Sequence, residues 1–140
     1  MKFKFSKSSL EHLQTTDIQI QLVIRSTLQL GIMDFAVTCG LRSKAEQNRL
    51  FNLPSKPTKL RWPNSKHNSV DGISRAVDIV PFINGKSSYR VEDCCFLAGL
   101  VLATAKCLGV KMRWGGNWDR DGEILTDQTF DDLLHFELED

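Results

Sequence analysis

Apolar and polar positions along the chain fall into blocks with different periods, and the period of each block predicts an element. From Asp17 to Met33, DIQIQLVIRSTLQLGIM stays apolar-rich for longer than most strands, with Asp17 placed to cap its start, so a helix is expected over that span. DFAVTCG predicts a strand ending at Gly40, after which Ser43 can cap a second helix through KAEQNRLF. Pro54, Pro57 and Pro63 interrupt the stretch from Asn52 to Asn64 among scattered basic residues, which makes it a surface loop. AVDIVPF is a β-branched strand with Pro81 as its stop, and INGKSS is a turn. Between Tyr89 and Leu108 the residues Val91, Cys94, Cys95, Ala98, Val101, Leu102, Ala105 and Leu108 keep helical spacing, with Gly109 placed to end a long packing helix. VKMRW reads as a strand, GGNWDRDGEILTDQTFDD as a polar loop and LLHFELE as a closing strand. The sum is an α+β fold in which helices pack on a small, mainly antiparallel sheet.

Composition narrows what that fold can be for. The chain has 140 residues, enough for one domain spanning 1–140, and its 41% apolar and 25% charged residues are those of an ordinary globular protein. With 18 basic against 17 acidic residues it has no field to attract nucleic acid, and a nuclease, faintly suggested by His67-Asn68 and His135, is disfavoured. The apolar segment around 96–105 is too short to span a bilayer, so no membrane insertion is expected. MKFKFSKSSLEHLQ lacks the apolar stretch and cleavage site of a secretory signal, which predicts a protein made and left in a cytoplasm; a monomer is expected. Cys39, Cys94, Cys95 and Cys107 show no paired metal framework and are expected to be reduced thiols.

The candidate chemistry is sparse. His12 lies on a polar N-terminal helix and reads as a solvated surface residue, which leaves His67 and His135. Alternation along the last strand puts His135 and Glu137 on one face and Phe136 and Leu138 on the other. Asp78 sits between Val77 and Ile79, and a buried carboxylate without a partner costs several kcal/mol. His67, Asp78 and His135 together are the ligand mix of a catalytic zinc, an ion that lowers the pKa of its water and polarises a carbonyl oxygen, with Asp132 left free as general base. Spacing alone does not make that set specific, because its members are far apart in sequence.

The blocks SKH, AVDIVP, WGGNW and DDLLHFEL, in that order, resemble the zinc peptidoglycan peptidases that include the D-alanyl-D-alanine carboxypeptidases and the L-alanyl-D-glutamate endopeptidases of phage endolysins. TCGLRSKAEQNRLF resembles that family's Gly-x-Arg-Ser segment followed by a glutamine-bearing helix, and the resemblance spans roughly residues 36 to 138. It implies that His67, Asp78 and His135 bind zinc, that Asp132 is the catalytic base, and that Arg42 grips a substrate carboxylate or the developing oxyanion. Gln47, Ser65 and Trp114, on the matching segments, are the further substrate contacts it implies. One departure is an insertion near VDGI: closing a loop longer by about four residues costs only tenths of a kcal/mol, but it leaves Asp71 as a rival ligand to Asp78. Asp78 is preferred, since it lies on the matching strand and Asp71-Gly72 reads as a turn.

Two readings of the loop after Trp114 stay open. Gly115-Gly116 either bends the backbone towards a groove lined by Trp114 or Trp118, or makes a tight turn with both rings in the core. Asn117, Asp119, Asp121, Gly122 and Glu123 follow the order of a calcium loop, but Gln128 stands where a bidentate glutamate belongs, with Asp127 as a substitute, so a low-affinity calcium site competes with a solvated acidic turn. The favoured function is zinc-dependent cleavage of the L-alanyl-D-glutamate bond of peptidoglycan by a phage endolysin that reaches the wall through a separate pore at lysis. D-alanyl-D-alanine carboxypeptidase and a non-catalytic, zinc-containing wall-binding module are the alternatives.

Overall fold

A computed structural model describes residues 2–69, 71–121, 123–125 and 132–140. Among these, the chain runs α1 (Lys7–Leu13), α2 (Ile18–Gln29), β1 (Asp34–Cys39), α3 (Lys44–Asn52), β2 (Ala76–Ile83), β3 (Lys86–Ser87), α4 (Val91–Cys107), β4 (Met112–Gly115) and β5 (Asp132–Leu138). The strands form an antiparallel sheet in the order β1-β2-β5-β4, with β3 folded back on β2. The α+β class expected from the sequence is the class found.

Local chemistry sets the boundaries. Asp17 caps α2, accepting the Gln19 N–H at 2.8 Å, and Ser43 caps α3, accepting that of Glu46 at 3.1 Å. Helix α2 stops at Gln29 rather than Met33, because Gly31 takes a left-handed φ of 68° just past the cap and ends the turn. Strand β2 runs past Pro81 to Ile83: the Pro81 carbonyl accepts the Ser88 N–H at 2.8 Å, on a flank where β3 pairs only with Phe82 and Ile83, so no ladder bond is lost. Asn84 and Gly85, with φ of 52° and 76°, make the two-residue hairpin turn that returns the chain as β3, where the sequence suggested only a turn.

Alternation sorts the two sheet faces. Phe35, Val37, Val77, Ile79, Met112, Trp114, Phe136 and Leu138 belong to one core with Ile20, Val23 and Ile24 of α2 and Leu97, Ala98 and Val101 of α4. Asp78, His135, Glu137 and Arg113 are therefore turned to the opposite face, and the puzzle of a charge inside an apolar strand dissolves. Asp78 and His135 are cross-strand partners, as are Glu137 and Arg113 in the neighbouring row. A register shift between Val37 and Cys39 brings Cys39 opposite Asp78 on the other side.

Gly40 follows that shift where the chain passes against the end of α1. A Cβ there would come 2.3 Å from Thr15 Oγ1 and 2.4 Å from the His12 carbonyl oxygen. Gly40→Ala should cost about 1–3 kcal/mol as the helix end is pushed away. Urea unfolding of the variant measures this, and unchanged stability would mean the α1 contact yields freely.

Candidate active site and metal centre

The site is built on the open sheet face from three segments. Asp78 of β2 and His135 of β5 stand side by side, and His67 is lowered over them by the segment between α3 and β2. His67 is locked there by main-chain lacing: its Nδ1 lies 2.8 Å from the Gly40 carbonyl, its carbonyl accepts the Arg42 N–H at 2.8 Å, and its N–H donates to Ser65 Oγ at 3.2 Å. Only 1% of His67 is exposed, so its orientation is fixed by packing.

Three ligand atoms converge. His67 Nε2 is 3.1 Å from His135 Nδ1, and each of those nitrogens is 3.2 Å from Asp78 Oδ1. The outer nitrogens have acceptors, Gly40 O for His67 Nδ1 and Glu137 Oε1, at 3.3 Å, for His135 Nε2. With protons on those outer positions, both inner nitrogens carry lone pairs aimed at the same point as a carboxylate oxygen. Ligands about 2.0–2.1 Å from a tetrahedral ion stand about 3.3 Å apart, so this triangle suits a small divalent cation. A metal ion fits the residues present.

Electrostatics agree with that reading. Burial opposes charge on His67, but the Asp78 carboxylate outweighs it and lifts the metal-free imidazole to about 10. Burial likewise opposes charge on Asp78, and the two imidazoles beside it hold its carboxyl well below the usual range. The other oxygen, Asp78 Oδ2, is 3.6 Å from Arg42 Nη2, so this carboxylate joins the metal triangle to the guanidinium. Asp132 begins β5, and its carboxylate forms, with the Asp78 carboxylate and a His135 ring nitrogen, a group whose ligand atoms are within 4.8 Å of one another. Burial and the Asp78 charge raise its carboxyl above the ordinary value. Cys39 Sγ is 3.8 Å from His67 Nδ1 and forms a second such group with His67 and Asp78; nothing in its sequence context singled it out.

The glycine pair after Trp114 explains how Asp132 reaches the site. A Cβ on Gly115 would lie 2.1 Å from the Asp132 carbonyl oxygen, and one on Gly116 would lie 2.3 Å from the Trp114 ring. Only glycine lets β4 close on Asp132 at the register shift between Trp114 and Gly115.

Beside the triangle a cleft of about 330 Å³ is lined by Arg42, Leu60, Ser65, Trp118, Asp132 and His135, among others. Two of the expected substrate contacts are corrected. Trp114 is a core residue, 3% exposed, with its Nε1 donating to the Leu133 carbonyl at 2.9 Å; it is Trp118 whose ring lines the cleft, 5.6 Å from that of His135. Gln47 is fully buried: its Oε1 accepts from Arg42 Nη1 at 2.9 Å and its Nε2 donates to the Leu60 carbonyl at 2.6 Å, so it holds the arginine and the cleft wall and does not face substrate. Asp71, the rival ligand, is exposed and turned into its own turn, where it accepts from Ser69 Oγ and from the Ile73 N–H at 3.2 Å. Just past that turn, Ser74 is bonded to Thr15 and Asp17 at 2.8 Å each.

In the loop after Trp118, Asp119 Oδ1 accepts the Asp121 N–H at 3.4 Å and Asp121 Oδ1 that of Glu123 at 2.8 Å, the bonds of an acidic turn. Asn117 donates to the Asp121 carbonyl at 3.2 Å, while its Oδ1 is buried and has no hydrogen-bond partner among the described residues. Gly122, Asp127 and Gln128 of the calcium pattern lie outside the described residues.

Two imidazoles, a carboxylate and a further, half-buried carboxylate, gathered under a cleft with an arginine at its edge, define the class: a hydrolase site whose residues could hold a metal ion. The family model for phage L-alanyl-D-glutamate peptidase matches residues 1–139. The L-alanyl-D-glutamate peptidase of Escherichia phage T5 is 33% identical over 125 residues, 88% of this chain and 87% of that one. The crystal structure of the Serratia marcescens L-Ala D-Glu endopeptidase ChiX superposes with a TM-score of 0.76 at 29% identity, covering 99% of this chain and 91% of its own. The chain belongs to the phage L-alanyl-D-glutamate peptidase family, the family that its motifs suggested.

Proposed function

We propose that this chain is a zinc-dependent endopeptidase that cuts the L-alanyl-D-glutamate bond in the stem peptide of bacterial peptidoglycan, and that it serves a phage as an endolysin, made in the host cytoplasm and admitted to the wall at lysis. The observation that carries the reading is the triangle of His67 Nε2, Asp78 Oδ1 and His135 Nδ1, whose nitrogens and oxygen match zinc's preferred donors. Bound there, zinc supplies a Lewis acid for the scissile carbonyl and lowers the pKa of the attacking water. Asp132 takes the proton from that water as the C–O bond forms and delivers it to the amide nitrogen as the C–N bond breaks. Arg42, tied to Asp78 and Gln47, offers its guanidinium to a substrate carboxylate or to the oxyanion. Trp118 lends an apolar wall and Ser65 fixes the His67 loop.

Calcium is retained in this proposal for Asn117, Asp119, Asp121 and Glu123 on one observation, the buried Asn117 Oδ1 that has no partner among the described residues. Asp119→Asn with Asp121→Asn should abolish calcium binding measured by titration calorimetry; unchanged binding removes calcium from the proposal.

Mass analysis of fragments released from purified peptidoglycan tests the main reading. New L-alanine carboxyl ends and D-glutamate amino ends are expected, lost with a chelator and restored by zinc. Release of free D-alanine would assign the carboxypeptidase reaction instead, and binding without release would leave a wall-binding module.

A further inference from the structure

The two metal-facing histidines are anchored differently. His67 leans on a neutral backbone carbonyl, whereas His135 leans on the carboxylate of Glu137, two residues along the same strand and on the same face. The Glu137 side chain is 9% exposed, and both its oxygens are engaged: Oε1 lies 3.3 Å from His135 Nε2 and 3.4 Å from Arg113 Nη2, and Oε2 lies 3.3 Å from Lys66 Nζ. Lys66 adds a bond to the Leu138 carbonyl, and Arg113 stacks its guanidinium 5.3 Å over the Trp118 ring. A buried carboxylate flanked by two cations is held in one place, and of the two His135 nitrogens it meets the outer one, Nε2.

We propose that Glu137 is the positioning residue of the metal centre: it fixes the His135 tautomer with the proton on Nε2, turns the Nδ1 lone pair towards His67 and Asp78, and makes that nitrogen a stronger donor. The proposal rests on the metal reading above but assigns a residue which that reading does not use. Lys66 and Arg113 act one step further out by keeping the carboxylate aimed. A carboxylate behind a ligating imidazole raises its basicity and commonly contributes 10–100-fold in metal affinity. The cost of burying Glu137 is offset by its cation pair, so its role is not one that a neutral residue of the same size reproduces.

The test is zinc affinity, measured by competition with a chromophoric chelator on Glu137→Ala, Glu137→Gln and Lys66→Met, with the visible absorption of the cobalt-substituted proteins as a report on the ligand field. Glu137→Ala should bind zinc about 10–100-fold more weakly and shift the cobalt bands. Glu137→Gln keeps an acceptor without the charge and should fall between Ala and the parent. Lys66→Met should stay within a few fold of the parent. Chemical unfolding of each metal-free variant identifies any that fail to fold; should Glu137→Ala be one, Glu137→Gln carries the test. Parent-like affinity and parent-like cobalt bands in a folded Glu137 variant would overturn the proposal. A parent chain that binds no zinc at all would overturn the metal reading itself, and this inference with it.

Discussion

Asp132→Ala is expected to lower peptidoglycan cleavage by about 10²–10⁴-fold while leaving zinc content unchanged. The carboxylate lies beside the triangle of His67, Asp78 and His135 and is no member of it, so removing it takes away proton transfer and spares the ligands. At 1.36 kcal/mol per tenfold, the loss corresponds to about 3–5 kcal/mol of barrier. Asp132→Asn should lose as much, since an amide oxygen cannot carry the proton, and that variant keeps the shape of the site. Burial raises the Asp132 carboxyl first, and the Asp78 charge adds to it. A base is active in its deprotonated form, so the parent's rate should fall as decreasing pH protonates Asp132. With zinc held saturating at every pH, that acid limb should vanish from the residual activity of Asp132→Asn. Rates of wall solubilisation against pH, with zinc measured by atomic absorption, check all three statements; full activity in either variant would remove Asp132 from the reaction.

The parts of this arrangement that were legible in the sequence are those written in local periods and short motifs. Period-2 alternation placed His135 and Glu137 on one face of β5, and the preference for Asp78 over Asp71 came from the resemblance of AVDIVP to the family's strand together with the turn chemistry of Asp71-Gly72. What alternation could not give was the pairing of strands: that Asp78 faces His135 depends on β2 and β5 being neighbours across a long separation in sequence. Nor could it show the register shifts at Val37/Cys39 and Trp114/Gly115, which turn Cys39 towards His67 and let the backbone of Asp132 close on β4. Gln47 and Trp114 were misjudged for a shared reason. A motif says that a residue matters, but burial decides whether it matters by touching substrate or by holding something that does. Gln47 holds Arg42, and Trp114 gives the core the ring over which Gly116 passes.

Withdrawing the metal, or the carboxylate that gathers its ligands, should have the largest effect of any change. Asp78→Ala removes the oxygen that both histidine nitrogens approach at 3.2 Å and strips Arg42 of its ionic partner. Zinc content should fall below about a tenth of an ion per chain and activity by more than about 10⁴-fold, because a two-histidine remnant keeps neither the charge nor the geometry of the site. Breaking a buried pair by deleting one partner costs about 3–5 kcal/mol, so the metal-free variant should also unfold more readily than the metal-free parent. Chelation of the parent gives the reversible version. Zinc stabilises only the folded state, by about 4 kcal/mol at a thousandfold excess over its dissociation constant, so melting should drop on chelation and recover on readdition. Protons compete for the same nitrogen. The metal-free His67 imidazole is lifted to about 10 from an unfolded value of 6.5, so at neutral pH zinc must expel about one proton, and its affinity should weaken about tenfold for each unit that the pH falls. The same shift has the opposite consequence without metal: a raised imidazole stabilises the fold fully below about 6.5 and loses that contribution as pH climbs towards 10. Zinc-loaded and zinc-free melting curves should therefore diverge as pH rises from 6 to 9. Parallel curves across that range would show that His67 does not exchange a proton for the metal.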